Sequence, residues 1–349
     1  MEKRWFRIAQ EFVSLGHEVC HISRRHPKLA NAESIEGVEH IRVKGYDQPS
    51  KLALLKVLDF FYSQRACRKV PKDADIVVTN TFWSPLLLPR ELRSKAYVDV
   101  ARTPRGQCRL YSNAARLRGN STPVFDAILN ELPPEEKDRV SCIPNPLPFS
   151  APDSIDLEAK EPLLLYCGRV HPEKGLDILM RAASRLPAGW RIEVVGPWDA
   201  SHGGGGDEYL SKLKGLAGEA RVTFRGPVFN TGKLSEIYRR SSLFVYPSVA
   251  EQGETFGLAP LEAMAWGSVP IVSSLACFKD FIKDGVNGII FDHRAEEPHE
   301  LLAEAVVKLA GESEWRQGLA RRATEVGETH SPRRIAQQFV EDFEKIVEK

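Results

Sequence analysis

Between residues 163 and 291, apolar runs of strand length alternate with stretches of helical periodicity, and this alternation restricts the fold more than any other feature. The runs LLLYCG, WRIEVVG, RVTFRG, LFVYPS, VPIVSS and GIIF enclose LDILMRAASRL, DEYLSKLKGLAG, KLSEIYRRSS and LAPLEAMAWG. Strands buried on both faces read as continuous apolar runs, and strands joined through helices of this length run parallel. The second half is therefore an α/β domain with a parallel sheet. Gly203 to Gly206, after WRIEVVG, reads as a flexible loop. The tail SPRRIAQQFVEDFEKIVEK reads as a terminal helix with Ile335, Phe339, Phe343 and Ile346 on one stripe.

The first half mixes helix and strand. EKRWFRIAQEFVSLG puts Trp5, Ile8, Phe12 and Leu15 on one helical face and stops at Gly16, HEVCHIS is a short strand, and KLALLKVLDFFYSQRACRKV is a second helix closed by Pro71. ADIVVTN and KAYVDVA read as buried strands, and the prolines of DRVSCIPNPLPF followed by APDSIDLEAKEP mark a linker. A chain of 349 residues suits two domains of roughly 150 residues each. The expected division is residues 1–150, residues 151–332, and a helix over 333–349 that packs back on the first domain.

Composition removes several classes of function. A net charge of +1 argues against a general nucleic-acid binder, and no apolar run approaches the ~18 residues needed to cross a bilayer. The opening MEKRWFRIAQEF lacks the apolar core of a secretory signal, so the expected location is the cytoplasm. Six scattered cysteines form no CxxC pair and read as buried reduced thiols, and the nine histidines form no ligand pair; no metal site and no cofactor are expected.

Two stretches carry candidate chemistry. In LLLYCGRVHPEKGLDILMRAA, Arg169 and Lys174 stand beside a helix N-terminus at the carboxyl end of a strand, where open α/β sheets bind ligands and a diphosphate finds cations. Gly168 and Gly175 let the backbone turn and approach closely. In LFVYPSVAEQGETFGLAPLEAMAWG, a helix opens near Phe256 and Gly257, Pro260 fits its first turn, and Gly267 ends it. The amides of Phe256, Gly257 and Leu258 are free to meet an anion. Glu254 and Glu262, eight positions apart, place a carboxylate on each side of it, one suited to a sugar and one to a ribose.

CGRVHPEKG, VTFRGPV, LFVYPS and ETFGLAPLEAMAWGSVPIVSS together resemble family 4 of the retaining glycosyltransferases, strongly over residues 160–290 and weakly before them. The resemblance implies the GT-B fold: two Rossmann-like parallel-sheet domains facing a central cleft, with a C-terminal crossing helix. It implies that Glu254 contacts the transferred sugar, Glu262 accepts from the ribose, and Arg169 and Lys174 hold the diphosphate. Gly168 borders that site, and the backbone from Gly226 to Val228 edges the base. The activity implied is metal-independent transfer of a hexose, with retention, from a nucleotide sugar to a saccharide or lipid-linked acceptor. A UDP-sugar is first choice on family habit, UDP-glucose among them, and polysaccharide or glycoconjugate synthesis is the setting. The leaving phosphate takes the acceptor's proton on the face from which it departs, so no protein nucleophile is needed.

This sequence departs from the family in two places. Relatives carry a first strand and a glycine loop before a glutamate like Glu2, whereas here Met1 precedes it directly. The expectation is a native product that begins upstream, or else a sheet with one strand fewer and adjusted pairing. Relatives also place a histidine of the first domain at the sugar; none lies between His40 and His171, and Ala101 or Arg102 takes that region. From Arg90 to Arg118, the eight residues Arg90, Arg93, Lys95, Arg102, Arg105, Arg109, Arg116 and Arg118 oppose only Glu91 and Asp99. The first reading of this run is a solvated face; the second is peripheral contact with anionic lipid at the inner face of a membrane. A nicotinamide-dependent oxidoreductase lacks its G-x-G-x-x-G turn here. A catalytically impaired glycosyltransferase-like partner and a GT-B sugar-nucleotide epimerase are the remaining alternatives.

Overall fold

A computed structural model describes residues 2–46 and 52–348; Lys51, which opens one expected helix, and Lys349, which closes another, lie outside them. The chain divides into two units, residues 1–149 with 332–349, and residues 150–331.

Unit 1 contains α1 (Glu2–Ser14), β1 (Val19–Arg24), β2 (Ala32–Ile35), β3 (Val38–Val43), α2 (Leu52–Cys67), β4 (Val77–Thr79), α3 (Ser84–Leu87), α4 (Arg90–Arg93), β5 (Ala96–Val100), β6 (Arg116–Gly119), α5 (Thr122–Glu131) and β7 (Val140–Cys142). Its strands form two sheets, a three-stranded one ordered β1-β3-β2 and a four-stranded, fully parallel one ordered β4-β5-β6-β7. A single sheet with adjusted pairing is therefore not what forms, because β1 and β4 are not paired to each other. Helix α1 spans the interruption. Its Ile8 and Phe12 are buried in a core that draws in Val19 from β1, Val78 from β4 and Tyr97 from β5.

Unit 2 contains β8 (Glu161–Cys167), α6 (Leu176–Ala182), β9 (Arg191–Val195), α7 (Gly206–Ala217), β10 (Val222–Gly226), α8 (Thr231–Arg240), β11 (Ser241–Tyr246), α9 (Leu258–Ala265), β12 (Val269–Ser273), β13 (Ile289–Phe291), α10 (Pro298–Gly311), α11 (Ser313–Ala323) and α12 (Val326–Thr329). Its single sheet is parallel throughout, ordered β10-β9-β8-β11-β12-β13. From β8 the chain moves outward to β9 and β10, then returns to the other side of β8 with β11. That reversal opens a crevice at the carboxyl ends of β8 and β11, the place where such sheets bind ligands.

Helix α13 (Pro332–Val347) completes unit 1 and packs on α1, with Phe339 5.4 Å from Trp5 and Phe343 5.6 Å from Phe12, ring centre to ring centre. Asp342 on α13 accepts from the Tyr97 hydroxyl at 2.8 Å and pairs with Arg116 at 3.2 Å. Two expectations need correction. Cys142 is exposed, although Cys67, Cys108 and Cys277 are buried. The Gly203–Gly206 segment is anchored rather than loose: Gly205 N–H donates to Val170 at 2.8 Å and Gly206 N–H to Trp198 at 2.7 Å, and Gly206 opens α7.

Beneath α1 lies a buried charge cluster. Asp99 on β5 accepts from both Arg4 and Arg118, the Trp5 indole adds a third bond at 3.1 Å, and Asn145 accepts from both arginines. Arg118 also stands 5.2 Å from the Phe339 ring centre. Burial opposes the charge on Asp99, but the two guanidiniums outweigh it and hold the carboxyl below its ordinary value. Asp99→Ala leaves two arginines without their counter-charge and is expected to cost unit 1 about 3–5 kcal/mol. Urea unfolding followed by far-ultraviolet circular dichroism measures it; a loss below about 1 kcal/mol would show that the cluster contributes nothing to folding.

Candidate functional site

Two loops of unit 2 meet at the crevice. The first leaves β8 through Gly168 and Arg169, makes one tight turn over Pro172–Lys174, and enters α6. The second leaves β11 through Pro247 and Ser248 and enters α9 after Gly257. They are bound together by main-chain and side-chain contacts. The amide of Val249 donates to the Glu173 carbonyl at 3.0 Å, and the Ser248 hydroxyl donates to the same carbonyl at 3.2 Å. Gly175 makes this approach possible. Its φ is 64°, and a Cβ there would lie 2.0 Å from the Pro247 carbonyl oxygen.

Lys174 therefore points at the second loop. Its Nζ lies 2.7 Å from Glu254 Oε2 and 5.5 Å from the centre of the Tyr246 ring, and the residue is only 7% exposed. Tyr246 stacks on Tyr166 with centroids 5.7 Å apart, which gives the pair a rigid aromatic floor. Arg169 is more exposed. Its guanidinium bonds to Glu173 at 2.5 Å and to the Gly203 carbonyl at 2.8 Å, so it is aimed along the loop edge.

Helix α9 begins at Leu258, with Gly257 at φ 91° as its cap, at the expected opening near Phe256 and Gly257. A Cβ at Gly257 would press within 2.5 Å of the Phe278 ring. The N–H groups of the first turn, with no intrahelical acceptor, carry the positive end of the helix dipole. Phe256 contributes its main chain only: its ring is buried 5.4 Å from Phe281 and 6.2 Å from His330. Burial lowers His330 to about 4, so this packing holds a neutral imidazole at neutral pH.

Glu262 sits within α9, where burial pushes its carboxyl up to about 7, against a weaker opposing pull from the Tyr238 hydroxyl. The Cys167 thiol beside it is also driven up by burial, to about 12, which leaves it protonated and inert. Gly226 ends β10 at φ 71°, its carbonyl accepting from the Gly196 amide at 2.9 Å, and the Trp198 ring lies over its Cα. Val228 is half-buried.

The structure thus joins Lys174 directly to Glu254, sets Arg169 on the same loop, and places Glu262 in the helix that follows. Several neighbours were missed in the sequence. Glu173 holds Arg169 in place, and Tyr246 floors the ion pair. Glu251 ties the second loop to the segment after β13, bonding His293 at 3.0 Å and Arg294 at 2.8 Å. Phe229, 74% exposed beyond Val228 and 6.3 Å from the His202 ring, offers a flat apolar face at the loop edge. An aromatic directly after RGPV was the one available signal for it.

Comparison with known proteins adds a family match and a fold. Residues 161–312, which hold every element of the site, match the family described as Glycosyl transferases group 1. D-inositol 3-phosphate glycosyltransferase of Rhodococcus opacus is 30% identical over 196 residues, 54% of this chain and 42% of that protein. The protein of the same name from Nocardiopsis dassonvillei is 33% identical over 177 residues, 49% of this chain and 40% of its own length. The matched stretches thus span less than half the length of these curated relatives. Among solved structures, sucrose-phosphate synthase from Thermosynechococcus elongatus superposes with a TM-score of 0.75 at 19% identity, covering 97% of this chain and 92% of that one. Anabaena HepE in complex with UDP and glucose superposes at 0.65 with 18% identity, covering 87% and 85%. The chain has the GT-B fold of these glycosyltransferases, and its second unit carries the sequence match to the group 1 family.

Proposed function

We propose that the protein is a retaining hexosyltransferase that moves a hexose from a UDP-sugar, UDP-glucose first, to a saccharide or lipid-linked acceptor. The observation that carries the reading is the buried Lys174–Glu254 pair beside Arg169 and the start of α9. The HepE structure with UDP and glucose supports the donor class, and the inositol phosphate glycosyltransferases support the reaction type.

Breaking the bond between sugar and phosphate builds negative charge on the departing diphosphate. Lys174, Arg169 and the amides of Phe256 to Leu258 form a fixed positive surround for it and need no rearrangement as the charge develops. A diphosphate that engages Lys174 frees Glu254 to accept from hydroxyls of the sugar. Glu262, further along α9, accepts from the ribose, and the Gly226–Val228 backbone borders the base. The acceptor hydroxyl attacks on the face from which the diphosphate leaves, and its proton passes to the leaving phosphate oxygen. The configuration is retained without a covalent enzyme intermediate. Side-chain cations neutralise the leaving group, so the reaction proceeds in EDTA.

Lys174→Ala is expected to weaken UDP and UDP-sugar binding alike, by about 1.5–3 kcal/mol, or roughly tenfold to a hundredfold. Glu254→Ala is expected to abolish most transfer while leaving UDP affinity close to normal. Isothermal titration with both ligands separates the two; equal losses of nucleotide and nucleotide sugar in Glu254→Ala would remove that residue from the sugar.

Glu262 makes binding depend on pH. Its carboxyl is raised from 4.5 to about 7 by burial, so near neutrality a large share is protonated and the ionised acceptor form grows as pH rises. UDP affinity is expected to increase from about pH 6 to about pH 8, by up to roughly tenfold, and Glu262→Gln to flatten the profile. The same burial acts on stability in the opposite sense. It favours the fold below the ordinary value of 4.5, and that contribution is lost as pH rises through about 7. A flat profile in the unaltered protein overturns the ribose assignment.

A further inference from the structure

Unit 1 carries an apolar surface that the proposed transfer does not use. Helix α2 is apolar on two sides. Tyr62 and Cys67 are buried inward, while Leu54, Val57 and Phe61, at i, i+3 and i+7, form a second stripe that faces outward. The stripe continues into loop structure through a chain of ring contacts. Phe61 touches Phe60 at 5.6 Å, Phe60 touches Trp83 at 5.3 Å, Trp83 touches Phe82 at 4.9 Å, and Phe82 lies 6.4 Å from Tyr111, next to Leu110. The Trp83 indole is fixed on α2 by a 3.0 Å bond to the Lys56 carbonyl. Leu54, Val57, Phe61, Phe82 and Leu110 are each between 42% and 52% exposed.

The charge around this surface is predominantly positive. Residues 51–118 hold 14 Lys and Arg against 5 Asp and Glu, an excess of 9 in a chain whose net charge is +1. Much of the basic run of residues 90–118 is engaged elsewhere. Arg116 and Arg118 are buried, and Arg93 and Lys95 donate to the Leu88 and Ala74 carbonyls. Other cations near the apolar patch are exposed. Arg65 and Arg68 continue the Leu54–Val57–Phe61 face of α2, Lys56 lies on the same helix and Lys69 just past its end, and Arg105 and Arg109 are close to Leu110 in the chain; Arg65 and Arg109 each also donate to a carbonyl, of Lys44 and of Glu131.

We propose that this face of unit 1 docks on an anionic lipid bilayer, with the α2 stripe, Phe82 and Leu110 entering the acyl boundary and the surrounding Lys and Arg meeting headgroup phosphates. An apolar helix face rimmed by cations is the composition that binds at such an interface, and among the described residues no helix is long and apolar enough to cross it. A second copy of the chain is the poorer occupant, because a two-fold contact would set the two positive rims against each other. The proposal stands apart from the transferase reading, since binding is measured without turnover.

Flotation of the whole chain with vesicles tests it, comparing pure phosphatidylcholine with phosphatidylcholine containing about 30 mol% phosphatidylglycerol. Binding is expected to the anionic vesicles alone and to be lost as salt rises from about 0.1 to about 0.5 M. Val57→Ser with Phe61→Ser, and separately Arg65→Ala with Arg68→Ala, should each weaken it roughly tenfold or more, with the melting transition unchanged. If either pair lowers the melting transition, Lys56→Ala with Lys69→Ala serves in its place, with the same expectation. No flotation with anionic vesicles, equal flotation with neutral ones, or undiminished binding in the variants overturns the proposal. So does a dimer dispersed by Val57→Ser with Phe61→Ser in a protein that ignores vesicles, which would give the surface to a second copy.

Discussion

The contact of Gly175 with the Pro247 carbonyl governs the geometry of the site. Two adjacent parallel strands hold their loops only as close as the smallest residue between them allows. Here a hydrogen atom stands where a Cβ would lie 2.0 Å from an oxygen. That closeness lets Val249 and Ser248 both donate to Glu173 and brings a lysine of one loop within 2.7 Å of a carboxylate of the other. Lys174 is more than nine-tenths buried, and an unpaired ammonium there would be costly. The pair therefore satisfies the buried Lys174 within the protein, and it leaves a side chain that an incoming anion can share.

Unit 1 applies the same physics for structure. Asp99 on β5 is held by Arg4 and the Trp5 indole of α1 and by Arg118 of β6, so the carboxylate sets the distance of α1 from the four-stranded sheet. Buried ion pairs of this kind contribute little net stability against an apolar alternative, but they are strict about position. Helix α1 needs that strictness, because it spans the interruption between two sheets that do not pair. Helix α13 reinforces it, with Asp342 reaching Tyr97 and Arg116 and Phe339 lying against Arg118.

Sequence periodicity was most informative where strands are buried on both faces. The apolar runs of unit 2 correspond to β8 to β13, and the glycines at 257 and 267 bracket α9, because strand and helix limits there follow from local chemistry. The Lys174–Glu254 contact spans 80 residues and was not legible, since it depends on which strand lies beside β8. Nothing in the sequence singled out Glu173, although its carbonyl holds the second loop and its carboxylate holds Arg169. Gly203–Gly206 looked loose because composition records the absence of side chains. It is anchored because Gly204 sits against the Trp198 backbone, where only glycine fits. Arg116 and Arg118 counted toward a basic surface in the sequence, yet both face inward onto Asp342 and Asp99.

This last point bears on what a net charge can exclude. A total of +1 is the sum of a strongly basic stretch from 51 to 118 and an acidic remainder, and an approaching partner feels the local field within about a Debye length. The composition alone therefore could not remove polyanion surfaces from consideration; the identity of the residues between the cations does that work. Nucleic acid presses a ridged polyanion on its partner and is met by polar side chains and stacking rings. Phe61 and Phe82 carry exposed rings, but Leu54, Val57 and Leu110 beside them have neither hydrogen bonds nor π faces to offer, and in contact with phosphate these three would only lose water at no gain. Aliphatic side chains set among cations match a surface whose charge lies above a hydrocarbon layer, and the order of those residues along α2 repeats that layering.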